Sequence, residues 1–290
     1  MTEYIELINK KLRESLPAGA YREQILLDAM GYSLSLPGKR VRPCLTLAFC
    51  ELCGGEAKDA LPFAGAVEMI HAYSLIHDDL PCMDDDDFRR GKPSNHKVYG
   101  EEYALLAGDA LQSAAYGLML SEETIGTVGA ERAARAAYVL SQKSGTLGMV
   151  GGQVIDLQSE GKKADLDTLR EMDEKKTAAL IEAACMMGCI VAGATEEQIK
   201  AAERYAYHIG VAFQIVDDIL DVTSTTEELG KAVGSDKEND KSTYVSLLGV
   251  EKCRELVDDY TKEAIAALSV FDRDTKKLAD FAYQLRDRKK

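Results

Sequence analysis

Ile76-His77-Asp78-Asp79-Leu80-Pro81-Cys82-Met83-Asp84-Asp85-Asp86-Asp87 closes a long apolar helical stretch, 59–79, on a run of aspartates. Carboxylates this dense repel one another unless cations lie between them, and the run sits in apolar sequence rather than in a solvated tail. A second stretch, Gln214-Ile215-Val216-Asp217-Asp218-Ile219-Leu220-Asp221, ends another apolar helical segment in the same way. Hard divalent cations such as Mg²⁺ take oxygen ligands and bridge protein carboxylates to substrate phosphates. Both stretches point to an enzyme that holds a polyphosphate through metal ions.

Around them the pattern is helical almost throughout. Apolar residues recur at mixed spacings of three and four over 3–16, 21–33, 41–53, 59–79, 103–120, 130–143, 146–159, 165–193, 196–221 and 251–270. Breaks fall at Pro17-Ala18-Gly19, Leu36-Pro37-Gly38, Gly54-Gly55, Gly91-Lys92-Pro93 and Gly161. Asp165 stands where a helix dipole welcomes negative charge. With no flexible linker, residues 1–290 are expected to form a single all-α domain, a large helical bundle. Segments 146–159 and 177–193 are apolar on most faces and should be enclosed by other helices. Glycines 145, 148, 151 and 152 lack the lysine and Ser/Thr of a phosphate loop, so close helix packing is their expected role.

A formal net charge of -14 argues against nucleic acid as a partner. No apolar run reaches the ~18 residues of a membrane span, and the amino terminus lacks a basic region followed by an apolar one. A cytoplasmic protein is expected. Seven cysteines suit a reducing compartment, and Cys50, Cys53, Cys185 and Cys189 read as core residues despite the CxxC spacing of the first pair.

On a helix, Gln214, Asp217, Asp218 and Asp221 share one face, opposite Ile215, Val216, Ile219 and Leu220. No basic residue lies within that face, so the carboxylates want a cation. Asp78 and Asp84 are poorly spaced for a helix, but Pro81 can kink or end it and let them converge. Basic groups recur beside the acidic ones. Lys39, Arg40 and Arg42 present three cations at a helix start, Arg89 and Arg90 follow the first cluster, Lys175 and Lys176 open a long helix, and Lys231 and Lys241 follow the second cluster. Arginine forks and lysine point charges both suit phosphate oxygens. The set suggests two anionic substrates, one held through metals and one held directly.

These residues resemble the trans-isoprenyl diphosphate synthase family, and within it the bacterial farnesyl diphosphate synthase type, over nearly everything from Gly38 to Gly249. The motif DDxxxxD is Asp78 to Asp84, followed by Arg89-Arg90-Gly91; the second, DDxxD, is Asp217 to Asp221, preceded by Phe213-Gln214. The resemblance implies an isoprenoid synthase fold around a deep central cavity and a homodimer. It implies Mg²⁺ as cofactor, three ions per active site, with Mn²⁺ as the alternative. Asp78, Asp84 and Asp217 would ligate the metal, supported by Asp79, Asp218 and Asp221. Arg89, Lys176 and Lys231 would contact the allylic diphosphate. Lys39, Arg42, His71 and Arg90 would hold the diphosphate of isopentenyl diphosphate, and Lys241 is a further substrate-binding candidate. Thr177 and Gln214 would line the reacting carbon. Tyr73 and Ser74, five and four places before the first aspartate, would help floor the tail pocket. The bulk of Tyr73 points to a C15 product, farnesyl diphosphate, with geranylgeranyl diphosphate the alternative.

Overall fold

The computed structural model describes residues 2–223 and 242–288. In chain order its elements are α1 (Thr2–Glu14), α2 (Gln24–Ser35), α3 (Val41–Leu52), α4 (Ala57–Asp78), a hairpin of β1 (Phe88–Arg89) and β2 (Lys92–Pro93), α5 (Asn95–Tyr99), α6 (Glu101–Met119), α7 (Glu122–Val128), α8 (Ala130–Ser144), α9 (Met149–Ser159) and α10 (Leu166–Asp173). A π-helical turn, Glu174–Ala178, joins α10 to α11 (Ala179–Ala192). Then come α12 (Glu196–Thr223), α13 (Tyr244–Leu248), α14 (Val250–Ala267) with a 3₁₀ turn at Leu268–Val270, and α15 (Lys276–Arg286). The fold is an all-α bundle, as expected. Its residues group into two compact units, Met1–Tyr138 with Met187–Gly193, and Val139–Met186 with Ala194–Lys290.

In the first unit α4 packs against α3 and α6. It is buried on most faces, through Phe63, Val67, Met69, Ile70, Tyr73 and Ile76 among others. Each such side chain contributes about 1.5–3 kcal/mol when fully withdrawn from water. Pro43 sits in the first turn of α3, where no intrahelical partner for its missing N–H is required. The residue before that helix, Arg40, adopts a left-handed φ of 49°. It is locked there by donating to Asn9 Oδ1 (3.0 Å), Glu68 Oε1 (2.5 Å), Leu34 O (2.7 Å) and Leu36 O (3.1 Å). Arg40 is therefore committed to the fold.

In the second unit α12 lays Val211, Ile215, Val216, Ile219 and Leu220 against Leu169, Tyr244, Cys253 and Val257. Asp165 caps α10, its carboxylate accepting from Thr168 N at 2.9 Å, as its position predicted. The enclosure expected of 146–159 is not found. α9 starts at Met149 and leaves Val150, Val154 and Leu157 exposed, with Leu147 80 % exposed just before it. Its buried side is narrow because Gly152 is pressed onto the π turn: a Cβ there would lie 2.2 Å from Lys176 N. α11 is buried along almost its whole length, as its composition demands. None of the seven cysteines is in a disulfide; Cys50, Cys185 and Cys189 are buried and Cys53 half-buried, in line with core roles. No described helix is long and apolar enough to cross a membrane.

Candidate active site

The first acidic cluster begins where α4 stops. Asp79 caps the helix, and the chain turns so that Asp84 N donates to Asp78 O at 2.8 Å. Met83 N and Asp85 N both donate to Leu80 O, at 2.8 and 3.2 Å. The helix thus ends three residues before Pro81, and the turn brings the backbones of Asp78 and Asp84 together. Asp79 is buried and receives Arg89 Nε at 2.9 Å as well as Arg89 Nη2, which also donates to Asp86 Oδ2 at 3.0 Å. Burial raises the Asp79 carboxyl above its usual range, against the opposing pull of Arg89.

Arg90 and Gly91 form the two-residue turn of the hairpin, with φ of 54° and 75°. Positive φ at both central residues is what a tight hairpin requires, and for an arginine it costs roughly 1–2 kcal/mol. The turn sends the Arg90 guanidinium onto Gly38, where a Cβ would lie 2.5 Å from Nη1. Arg90 Nη2 and Arg42 Nη1 each stand 3.5 Å from His71 Nε2. Burial first, then these arginines, hold the His71 imidazole well below its usual range. Burial also lowers the Arg42 guanidinium to about 10. Two arginines around a neutral histidine make a site for an anion. Lys39, also expected here, is exposed. Ser74 Oγ turns back to His71 O at 3.0 Å, while Tyr73 is buried edge-on against His77, ring centroids 5.6 Å apart.

In the second unit Lys176 and Thr177 lie in the π turn, a feature that often marks functional positions. Lys176 Nζ pairs with Asp156, and Thr177 Oγ1 lies 3.4 Å from Gln214 Oε1. Lys176, Thr177, Gln214 and Asp218 line one cavity of 160 Å³ together with Asp156 and Asp173. The last two were not anticipated from sequence. Burial first, then the Asp218 carboxylate, pushes Asp173 up to about 8. Asp218 and Asp221 are buried, and Asp218 Oδ2 accepts Tyr244 N at 2.8 Å at the start of α13. Asp217 is more open and has a basic neighbour from outside its helix. Arg288 Nη2 reaches Asp217 Oδ1 and, at 2.9 Å, Phe213 O, with its guanidinium 4.1 Å from the Phe213 ring centroid. Nothing within the helix could signal a partner so distant in sequence. Lys231 and Lys241 lie outside the described residues.

A candidate acidic metal-binding cluster is present. Among the described residues one trio, Asp85, Asp87 and His96, brings metal-ligand atoms within 4.8 Å of one another. It contains none of the six aspartates expected as ligands.

An all-α bundle with paired aspartate motifs and flanking basic groups defines a prenyltransferase of the isoprenoid synthase class. The chain belongs to the polyprenyl synthetase family, whose model matches residues 23–281. It is 49 % identical over 273 residues to the heterodimeric geranylgeranyl pyrophosphate synthase large subunit 1, chloroplastic, of Arabidopsis thaliana, covering 93 % of this chain and 73 % of that one. A crystal structure of an FPP/GFPP synthase from Zymomonas mobilis superposes with a TM-score of 0.87 at 38 % identity, over 98 % of this chain and 97 % of that one. Geranylgeranyl pyrophosphate synthetase from Pyrococcus horikoshii does so with a TM-score of 0.90 at 32 % identity, over 99 % and 96 %.

Proposed function

We propose that the chain condenses isopentenyl diphosphate head to tail with allylic diphosphates, and that its end product is geranylgeranyl diphosphate. The observation that carries the chemistry is the convergence of Lys176, Thr177, Gln214 and Asp218 on one cavity. Asp78, Asp84 and Asp217 offer only carboxylate oxygens, the donor set that suits Mg²⁺, and would hold it with Asp221. Held there, Mg²⁺, three ions in this reading, would supply positive charge to offset that of the allylic diphosphate. Asp79 and Asp218 support these ligands from within, one tied to Arg89 and the other to the Tyr244 amide.

Lys176 and Arg89 donate to the departing diphosphate as its C–O bond breaks. Thr177 and Gln214 turn oxygen lone pairs toward the allylic cation. Arg42 and Arg90, with neutral His71 between them, grip the diphosphate of isopentenyl diphosphate and present its double bond. The proton then lost passes to the released pyrophosphate, so no catalytic histidine is invoked. The chemistry requires that water be kept from the cation. Tyr103, Leu105 and Leu106, exposed on α6, offer an apolar surface for association into a homodimer, and the enzyme is read as cytoplasmic.

The C20 product rests on relatives named as geranylgeranyl diphosphate synthases, which favour it over the C15 product expected from the motifs. A second reading, farnesyl diphosphate, is favoured by one side chain: the buried ring of Tyr73, one residue before Ser74 and five before Asp78. Incubation with dimethylallyl and isopentenyl diphosphates in Mg²⁺, with products resolved by length, tests both. Mainly C20 supports the first and mainly C15 the second. Absence of any Mg²⁺-dependent pyrophosphate release overturns the whole assignment.

A further inference from the structure

We propose that Asp85, Asp87 and His96 form a separate site for a divalent transition-metal ion of the Mn²⁺–Zn²⁺ class. Their ligand atoms lie within 4.8 Å of one another. The hairpin makes the encounter. Asp87 precedes β1 and Ser94 follows β2, and Ser94 N donates to Asp87 O at 2.9 Å, closing the two ends. Asn95 then anchors the start of α5 by donating to Ala29 O and Ser33 Oγ, both at 2.8 Å. This fixes the next residue, His96, beneath the aspartates.

His96 is the second, independent sign of a ligand. The residue is only 6 % exposed, yet neither Nδ1 nor Nε2 of its buried ring has a hydrogen-bond partner. A buried imidazole leaves both nitrogens idle only at a cost, and a metal ion removes part of that cost by taking a lone pair. Asp85 and Asp87 are exposed and can rotate, and Asp85 is held in a left-handed conformation with φ 51°. Bonds of about 2.0–2.1 Å to a tetrahedral ion need ligand atoms closer than 4.8 Å, and rotation of the two aspartates supplies that closure. One Asp87 oxygen, Oδ1, is engaged by Lys97 Nζ at 2.6 Å, so the metal takes the other oxygen or competes with the ammonium.

The donor set separates this site from the Asp78 and Asp84 ligands proposed above. A nitrogen with two carboxylates suits Mn²⁺, Co²⁺ or Zn²⁺, whereas oxygen alone suits Mg²⁺. An ion here would tie the acidic loop to α5 and stiffen the segment that carries Arg89 and Arg90.

The test titrates Co²⁺ into the full chain in excess Mg²⁺, following its visible absorption. One equivalent of Co²⁺, displaced by Zn²⁺, is expected in wild type. His96→Gln and Asp87→Asn should each weaken binding by more than the ~10–100-fold that losing an outer-shell partner costs. Lys97→Met should tighten it up to about fivefold, the worth of an exposed ion pair. Asp217→Asn should bind as wild type does. Should His96→Gln fail to fold, the exposed Asp87→Asn decides. No Co²⁺ bound in excess Mg²⁺, binding that survives Asp87→Asn, or binding lost in Asp217→Asn would each overturn the proposal.

Discussion

The first aspartate cluster carries its counter-charge in the adjoining sequence, whereas the second takes it from Arg288, 71 residues beyond Asp217. The burial of the two pairs differs as much as their origin. The Asp79 side chain is 3 % exposed beneath Arg89, while the Asp217 side chain is 43 % exposed beside Arg288. A buried pair that loses one member leaves an uncompensated charge, at about 3–5 kcal/mol. A pair whose carboxylate stays open to water, as Asp217 does although Arg288 is only 12 % exposed, is worth about 1 kcal/mol or less. Arg89 and Asp79 are therefore a fixture of the loop, and Arg288 is a resting partner that an incoming cation can displace.

The largest expected effect is on turnover. Asp78→Ala and Asp217→Ala should each lower kcat about a thousandfold, ~4 kcal/mol of transition-state stabilisation, in saturating Mg²⁺. Wild-type rates in either variant would remove that aspartate from the metal ligands. Stability should divide the two clusters where turnover does not. Asp79→Ala should cost about 3 kcal/mol in urea unfolding, because Arg89 then keeps only the exposed Asp86, while Asp217→Ala should change stability by less than about 1 kcal/mol, because Arg288 keeps the Phe213 carbonyl and ring. Equal losses would erase the distinction between fixture and resting partner.

Arg42→Ala should come next. Removing one charged donor to a phosphate costs about 1.5–3 kcal/mol, or about 10–100-fold in the KM for isopentenyl diphosphate. The KM for the allylic substrate should move much less. Comparable rises in both would mean that the cluster around His71 has been given to the wrong diphosphate.

How much of this was legible beforehand follows from the same contrast. The spacing of Asp217, Asp218 and Asp221 and the turn at Pro81 are local, and the helices and the convergence of Asp78 with Asp84 followed from them. Thr177 and Gln214 were named from motifs and do meet. Three things were not local. The π turn under Lys176 arises in a segment whose composition reads as continuous helix, where Gly152 lets α9 approach its backbone. Arg40 looks like its neighbours Lys39 and Arg42 until Glu68, 28 residues on, claims it. The exposed face of α9 has the composition of a buried one, and only packing tells them apart. Asp156, Asp173 and His96 were passed over because a single acidic residue or histidine in a helix carries no spacing to read.

Arg288→Ala probes the resting partner itself. With the guanidinium gone, Asp217 should accept Mg²⁺ more readily in the absence of substrate. Half-saturation by Mg²⁺ should fall up to about fivefold, the equivalent of ~1 kcal/mol. A rise instead would make Arg288 a substrate ligand rather than a stand-in for the metal.

The smallest effect on rate and the most specific on product is expected at Tyr73. Its ring is buried edge-on against His77, and burial pushes its hydroxyl up to about 12, so it stays neutral and behaves as an apolar wall. Truncation to alanine opens room on the α4 face near Ser74, one turn before Asp78. Five further carbons are worth about 4 kcal/mol at ~0.8 kcal/mol per buried CH₂, enough to move the point at which the chain stops growing. Tyr73→Ala should therefore lengthen the main product by at least one isoprene unit relative to wild type, whether wild type makes C15 or C20. Turnover of the first condensation should change less than about threefold, because the Tyr73 ring packs on His77, to which no role at the diphosphates is assigned. Separation of radiolabelled products by reversed-phase chromatography reads both quantities. An unchanged product would place the floor of the tail pocket on another helix face and remove the one side-chain argument for C15.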